Sequence, residues 1–442
     1  VAQDLKSALP SALDDAPPAA LLSSGRGPRS VAIVGAGYAG MAAAVALAAR
    51  GVRVSVLESG PVPGGRARRV SIGGREIDNG QHILVGAYTR LLGLMRTIGL
   101  EERDVLLRLP LELRTLPLES GFRLRAPRLP APLHLAAALA GARGLPLQER
   151  LSAIRFMQAM KRLGFRLDAD TTVTGLLSGH GQAGRIADRL WNPLCVSALN
   201  TLPGEASAQV FLNVLRDSLA GPREASDLLV PRVDLSALFP EPAAHWLRAR
   251  GGELRCGHTV RDLAALKAGH DAVILAVGPH QIEPLLPGWA PPFAYRPIYT
   301  AYLQYPPQVR LPFPMLAMEG GLVQWVFDRG ALTGEHGLLA CVISAQGGHQ
   351  DLDRATLGSA LHRELAAALP GLPEPSWSQV IAEKRATIAS TPGLRRIGPQ
   401  TPLEGVLLAG DYTDPDYPPT LEAAVRSGLR AADLLFSASK LP

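Results

Sequence analysis

Four residues near the start of the chain have the types and spacing to hold a phosphorylated nucleotide. Gly35, Gly37 and Gly40 form G-x-G-x-x-G, with Tyr38 and Ala39 inside it, and Glu58 follows 23 residues after the first glycine. The chemistry is recognition rather than bond making. Gly35 permits a tight turn, Gly37 lets a pyrophosphate approach the backbone, and Gly40 lets a helix close onto a strand. The acid at Glu58 accepts the hydroxyls of an adenosine ribose. Such a site needs a strand, a helix and a second strand around it. Val31–Val34 reads as a short buried strand, Met41–Arg50 as a helix ended by Gly51, and VRVSVLE as a second strand closing on Glu58. The helix N-terminus then faces the phosphates with free N–H groups and the positive end of its dipole. Glycines alone are weak evidence; the full unit with its terminal acid is strong. An acid at the ribose favours FAD or NAD over NADP.

Three further stretches bear on that choice. GPVPGGRARRV contains Gly64, Gly65 and Arg66. VSIGGREIDNGQHIL reads as a strand, a Gly73-Gly74 turn, a strand and then a loop, Asn79–His82. GVLLAGDYTDPDYPPTLEAAVRSG reads as an apolar strand ending in Gly410-Asp411, then a loop and a helix starting near Thr420. These resemble the motifs of the FAD-binding amine oxidase and phytoene desaturase superfamily. The resemblance implies that Gly64, Gly65 and Arg66 lie along the diphosphate and ribose of FAD, and that Gly410 and Asp411 meet the ribityl and phosphate. It also implies that Leu421 and Glu422, at a helix start, meet the pyrimidine edge, where a helix dipole stabilises negative charge. GGELRCGHTVRDL with DAVILAVGP reads as strand, turn, strand, and the resemblance places Val260 on a strand offering its backbone to adenine. The loop with Gly80, Gln81 and His82 is implied to lie beside the isoalloxazine ring. Gly80 allows close backbone approach there, and His82 is the one side chain in it that titrates near neutral pH unaided.

These pieces bracket two other stretches. The expected organisation is a leader at 1–29, a discontinuous FAD-binding domain at 30–95, 226–290 and 381–442, and a substrate-binding domain at 96–225 and 291–380. The fold class is α/β: a Rossmann-type FAD domain interleaved with an amine oxidase-like substrate domain of helices and mixed sheet. Residues 96–225 read as mainly helical, with Leu133–Leu167 apolar at helical spacing and Arg and Lys on its other faces. LWNPLCVSALNTLPGEASAQVF, NGQHILVGAY, DLSALFP and EKRATIASTPG resemble one family in particular, the squalene-associated FAD-dependent desaturases, or hydroxysqualene dehydroxylases. That resemblance covers most of residues 30–438. It implies reductive loss of an allylic hydroxyl from hydroxysqualene, giving squalene for hopanoid synthesis, with hydride delivered from reduced flavin. The chemistry requires a long apolar pocket and a donor to help hydroxide depart. Trp191, Asn192 and Cys195 are expected to line the pocket, and His82 is the candidate donor. Cys195 equally suits a buried structural thiol.

Composition narrows the alternatives. The net charge is +6 from 45 basic and 39 acidic side chains, but the basic residues are overwhelmingly Arg and lack an aromatic-interleaved patch, which argues against a nucleic-acid partner. Three cysteines without a CxxC make a disulfide framework or a zinc site a poor reading and suit a reducing cytoplasm. Residues 1–29 lack the basic start and apolar middle of a signal peptide and read as disordered. No run is long and apolar enough to span a bilayer, whereas basic amphipathic helices can lie on one, so a peripheral place on the inner face of the cell membrane is compatible with the sequence. A squalene-pathway enzyme or a reductase is a further compatible partner. A carotenoid-type desaturase that oxidises its isoprenoid uses the same flavin half. An amine oxidase commonly places a Lys near the flavin, and residues 291–380 contain none. A flavin-stabilised scaffold without turnover is the remaining, non-enzymatic reading.

Overall fold

The computed structural model describes residues 27–437, so nearly all of the expected leader lies outside the described residues. Five parallel strands form the first sheet. Their order is Glu253–Arg255, Arg53–Leu57, Ser30–Val34, Ala272–Leu275 and Val406–Leu408. In order of appearance along the chain this is 3-2-1-4-5, the arrangement in which a dinucleotide lies across the carboxyl ends of the strands where the winding reverses. Val31 sits opposite both Val54 and Ala272 in the register. The central strands Ser30–Val34 and Ala272–Leu275 are buried at every position because both faces of the sheet are covered there, as parallel sheets require.

The helix after the first strand, Tyr38–Ala48, is buried at every position. A helix apolar all round must be enclosed on all sides. It is enclosed here by the sheet, by Pro240–Arg248 and by the long C-terminal helix Leu421–Ser437. Small residues make that fit possible. A methyl group at Gly428 would lie 2.1 Å from the carbonyl oxygen of Ala39.

The second sheet has seven strands in the order Trp377–Ile388, Tyr295–Gln304, Leu338–Ser344, Trp325–Asp328, Met315–Met318, Glu112–Leu116 and Arg123–Arg125. All neighbours are antiparallel except Met315–Met318 with Glu112–Leu116. Helices Leu133–Ala140, Leu147–Arg162, Val173–Gly179, Asn192–Leu199 and Ala208–Val214 pack on it through one apolar core. The π-helical turns Ala187–Trp191 and Leu215–Leu219 belong to the same layer.

Three details refine the sequence reading. Residues 96–225 are not only helical: Leu106–Leu109, Glu112–Leu116 and Arg123–Arg125 are strands, and the last two extend the large sheet. The Leu133–Leu167 run is two helices, because Gly141 to Pro146 breaks it. The expected domain boundaries fall inside elements, at 95–96 within the helix Thr89–Thr97 and at 380–381 within the strand Trp377–Ile388. Change of composition marks where a chain leaves a core, and the strand Trp377–Ile388 serves several, with Ile381, Val380 and Ile388 each in a different one.

Candidate functional site

The G-x-G-x-x-G glycines have separable reasons to be glycine. Gly35 has φ +102° and Gly40 has no room: a methyl there would lie 1.9 Å from the carbonyl oxygen of Gly35. The fold itself requires both. Gly37 is different. Its φ of −71° suits any residue, and a methyl would meet nothing nearer than the Cα of Gly65 at 3.7 Å. Gly80 is similar, with only Thr300 Oγ1 at 3.7 Å. Space kept beside two backbones that do not otherwise need it fits a bound group. The helix Tyr38–Ala48 has no side-chain cap and no acid in its first turn, so its leading N–H groups are available to an anion.

Glu58 ends the second strand and is already oriented. Its Oε2 accepts from the Ala36 N–H at 2.7 Å and its Oε1 from the Gly60 N–H at 2.7 Å. Oε1 also accepts from the Ser59 hydroxyl at 3.4 Å, and Oε2 keeps a second lone pair for a ribose hydroxyl. The loop carrying Gly257 and His258 bonds to the backbone of Gly60 and Glu58. Val260 follows in that loop, between Glu253–Arg255 and the helix Leu263–Ala268. It is not on a strand as expected, because Gly257 turns the chain after three paired residues.

Motifs far apart in sequence converge beyond Gly37. Gly64 forms an isolated parallel bridge with Gly37, and Gly64 and Gly65 have φ of +129° and +64°. Arg66 donates to Asp411 Oδ1 at 2.7 Å and to the Ala386 carbonyl at 2.7 Å. Asn79 donates to the carbonyl of Arg66 and to Glu383, both at 3.1 Å. The Gly410 N–H donates to Ser427 Oγ at 2.8 Å. Four sequence-selected segments, 64–66, 79–82, 410–411 and the helix Leu421–Ser437 through Ser427, thus share one region with the strand Trp377–Ile388.

Two expected roles change in detail. Glu422 is fully buried and its carboxyl accepts from the Arg90 and Leu91 N–H groups at 2.9 and 3.0 Å, so its side chain caps the helix Thr89–Thr97. Burial pushes this carboxyl up to about 7. What Leu421 and Glu422 leave for a ligand is the backbone of the helix start. His82 is half-buried, and burial with the nearby Arg66 cation pushes its imidazole down to about 4. The expectation that it titrates near neutral pH is therefore corrected: desolvation disfavours the imidazolium.

Beneath the 79–82 loop lies a buried charge network whose cation, Arg329, sequence reasoning missed. Arg329 reaches Asp78 Oδ2 and Gln81 Oε1, both at 3.3 Å, and Glu335 Oε2 at 2.9 Å. Asp78 Oδ1 accepts from the Leu235 N–H at 2.8 Å, and the Asp78 carbonyl accepts from Tyr302 at 3.0 Å. Asp78 and Arg329 are both nearly solvent-free, and burial lifts the Asp78 carboxyl to about 6 despite the ion pair. Arg329 gave no sequence signal, because FDRG after an apolar run looks like an ordinary strand end.

On the helical side, Trp191 is buried, donates from Nε1 to Gln182 at 3.0 Å and packs edge-on against Phe156. It lines a narrow slot of about 10 Å³ with Leu111, Leu135, Leu139, Met157 and Leu219, where every lining side chain is apolar and there is room for about one water molecule. Asn192 and Cys195 do not line that slot. Asn192 turns to Asp188, and Cys195 is enclosed, with its thiol toward the Thr201 carbonyl and pushed up to about 12 by burial. Cys195 is a structural thiol. Among the described residues no cluster of His, Cys, Asp or Glu is placed to hold a metal ion, and no helix is long and apolar enough to cross a membrane.

A 3-2-1-4-5 parallel sheet with an open glycine cradle, joined to a large mixed sheet under a helical layer, is the architecture of a dinucleotide-binding protein with a large second domain. The chain belongs to the flavin containing amine oxidoreductase family, whose model matches residues 38–435. It is 34% identical over 435 residues to the hydroxysqualene dehydroxylase of Rhodopseudomonas palustris (strain ATCC BAA-98 / CGA009), covering 93% of this chain and 99% of that one. It is 24% identical to the zeta-carotene desaturase of Synechocystis sp. (strain ATCC 27184 / PCC 6803 / Kazusa), covering 92% and 97%. Among solved structures it resembles cyclohexylamine oxidase from Brevibacterium oxydans IH-35A, with a TM-score of 0.65, 19% identity, and 93% and 99% coverage. The expected fold class and the resemblance to the dehydroxylase family both hold, and the carotenoid desaturases are the more distant relatives.

Proposed function

We propose that this chain is an FAD-dependent dehydroxylase of hydroxysqualene, forming squalene. The observation that carries the reading is the near full-length likeness to the Rhodopseudomonas enzyme. Glu58, the open backbone at Gly37, the Gly64–Arg66 turn and the Gly410-Asp411 corner are the groups that would hold FAD. When bound and reduced, the flavin supplies hydride to the allylic carbon. The C–O bond breaks, a C–H bond forms, and the oxygen departs as water once a proton reaches it.

The chain's own residues set the conditions for that exchange. Water exclusion falls to the apolar wall of Leu111, Leu135, Leu139, Met157 and Trp191. His82, neutral at physiological pH, serves as an N–H donor to the departing oxygen rather than as a charged acid. Arg329, Asp78 and Gln81 hold its loop from below. The testing experiment is anaerobic incubation of the photoreduced protein with hydroxysqualene. Formation of squalene with reoxidation of one flavin per product is the expected result. Absence of squalene, with a carotene precursor oxidised by the oxidised protein, would assign the desaturase reaction. Retention of FAD with no turnover of either substrate would assign the scaffold role.

A further inference from the structure

The positive charge of this chain is not spread over it. Residues 121–166 contain nine basic side chains and one acid, Glu149, an excess of eight, while the whole chain has an excess of only six. Everything outside this segment is therefore slightly acidic. The same segment holds the four most exposed large apolar side chains among the described residues: Leu147 at 59%, Leu133 at 56%, Leu163 at 53% and Leu151 at 45%.

Helix geometry sorts these groups onto the outside. In Leu147–Arg162, residues 147, 151, 155, 158 and 162 recur at the spacing of one helical stripe. Leu147, Leu151, Arg155, Gln158 and Arg162 are all exposed, whereas Phe156, Met157 and Met160 on the other side of the helix are enclosed. The partner helix Leu133–Ala140 repeats the pattern. Leu133 faces out, while Leu135 and Leu139 line the apolar slot together with Met157. Arg150 ties the two helices by donating to the Ala140 carbonyl at 2.8 Å. One helical pair thus has the slot on its inner side and leucines set among arginines on its outer side.

We propose that the outer face of Leu133–Ala140 and Leu147–Arg162, with the adjoining Leu163, docks on an anionic lipid bilayer. Charge complementarity selects this occupant: exposed Arg128, Arg143, Arg155, Lys161, Arg162 and Arg166 meet acidic headgroups while the leucines enter the acyl boundary. The inference deepens the function proposed above, resting on an apolar substrate, and its test needs no substrate.

The test is flotation of the flavin-loaded protein with vesicles of phosphatidylglycerol and phosphatidylcholine, and with phosphatidylcholine alone. The wild type should float with the anionic vesicles and stay behind with the neutral ones. Arg155→Gln with Arg162→Gln should lower partitioning about 30-fold, at about 1 kcal/mol per charge near an anionic surface. Leu147→Gln with Leu151→Gln should lower it roughly tenfold, through lost apolar burial. Leu352→Gln with Leu403→Gln, exposed leucines elsewhere, should change nothing, and all variants should keep their flavin. No binding to anionic vesicles, or binding that the arginine and leucine variants of the helical pair leave intact, overturns the proposal. Activity on detergent-dispersed hydroxysqualene separates the outcomes: a protein that dehydroxylates but does not float refutes membrane docking alone, and one that floats but never forms squalene refutes the reaction alone.

Discussion

Replacing Gly37 with Ala tests whether the cradle at the first helix is kept open for a cofactor. The backbone at Gly37 has φ −71° and ψ 179°, which alanine adopts without strain. The added methyl meets the Cα of Gly65 at 3.7 Å, an ordinary contact. The fold should lose only the preference of a helix cap for glycine over alanine, about 1 kcal/mol or less. The methyl nevertheless projects where a pyrophosphate must approach the N–H groups of Tyr38–Ala48. Losing one hydrogen bond to a charged group costs about 1.5–3 kcal/mol, or roughly 10- to 150-fold in FAD affinity. Gly40→Ala is the contrast. Its methyl would overlap the Gly35 carbonyl at 1.9 Å, so the apoprotein itself should lose about 1–3 kcal/mol or more through overpacking. Calorimetry of both apoproteins, with FAD titrations followed by flavin fluorescence, distinguishes the two. A Gly37→Ala protein that binds FAD like the wild type, or whose apoprotein melts as early as Gly40→Ala, would refute the reasoning.

The other expectations concern the network, the loop and pH. Arg329→Met should cost about 3–5 kcal/mol in urea unfolding by leaving Asp78 buried without its cation, and adding Asp78→Asn should restore part of that; a double variant as unstable as the sum of both singles would contradict the pairing. His82→Ala should keep FAD but slow dehydroxylation about 10²-fold, whereas loss of FAD would make His82 a loop-ordering residue only. With its imidazole held at about 4, His82 should also contribute no limb to kcat/KM near pH 6.5, which a pH profile of the wild type against His82→Gln checks. Glu422 has a folded value of about 7 above its ordinary 4.5. Its stabilising contribution is therefore complete below about pH 4.5 and lost as pH rises through about 7, on the order of 3 kcal/mol. The melting-temperature advantage of the wild-type apoprotein over Glu422→Gln should shrink from pH 5 to pH 8, and an advantage that grows would reverse the assignment.

Sequence was most informative where backbone geometry dictates residue type. The turn at Gly35, the close packing at Gly40 and the hairpin at Gly73-Gly74 each demand glycine, so the parallel sheet and its helix were readable from spacing alone. The alternation in LELRTL was equally available, with Leu113 and Thr115 turned inward, yet its neighbours Leu133–Leu167 drew the whole region toward a helical reading. Val260 and Glu422 show a different limit. Family likeness gives the neighbourhood of a residue, but a three-residue strand ends where a turn competes, and a carboxyl turns to whichever N–H groups are nearest. Arg329 was out of reach because its partners Asp78 and Gln81 lie about 250 positions away, and no local pattern encodes a contact of that separation. The same holds for the pairing of Arg66 with Asp411, which joins two motifs that were readable one at a time.

The packing of Gly428 against Ala39 bears on the order in which the molecule can be made. The first strand and helix leave the ribosome early, but the strand Ala272–Leu275 that pairs with the first strand and the helix carrying Gly428 are synthesised much later. Domains fold as units when their chain is complete, and the pairing of distant segments is the slow part of folding. An early nascent chain therefore presents the glycine cradle with one side of the helix Tyr38–Ala48 uncovered. Cofactor loading belongs to the end of synthesis, when the last helix closes over the first, and a chain truncated before residue 428 should emerge without flavin and exposed to proteolysis however intact its N-terminal motif.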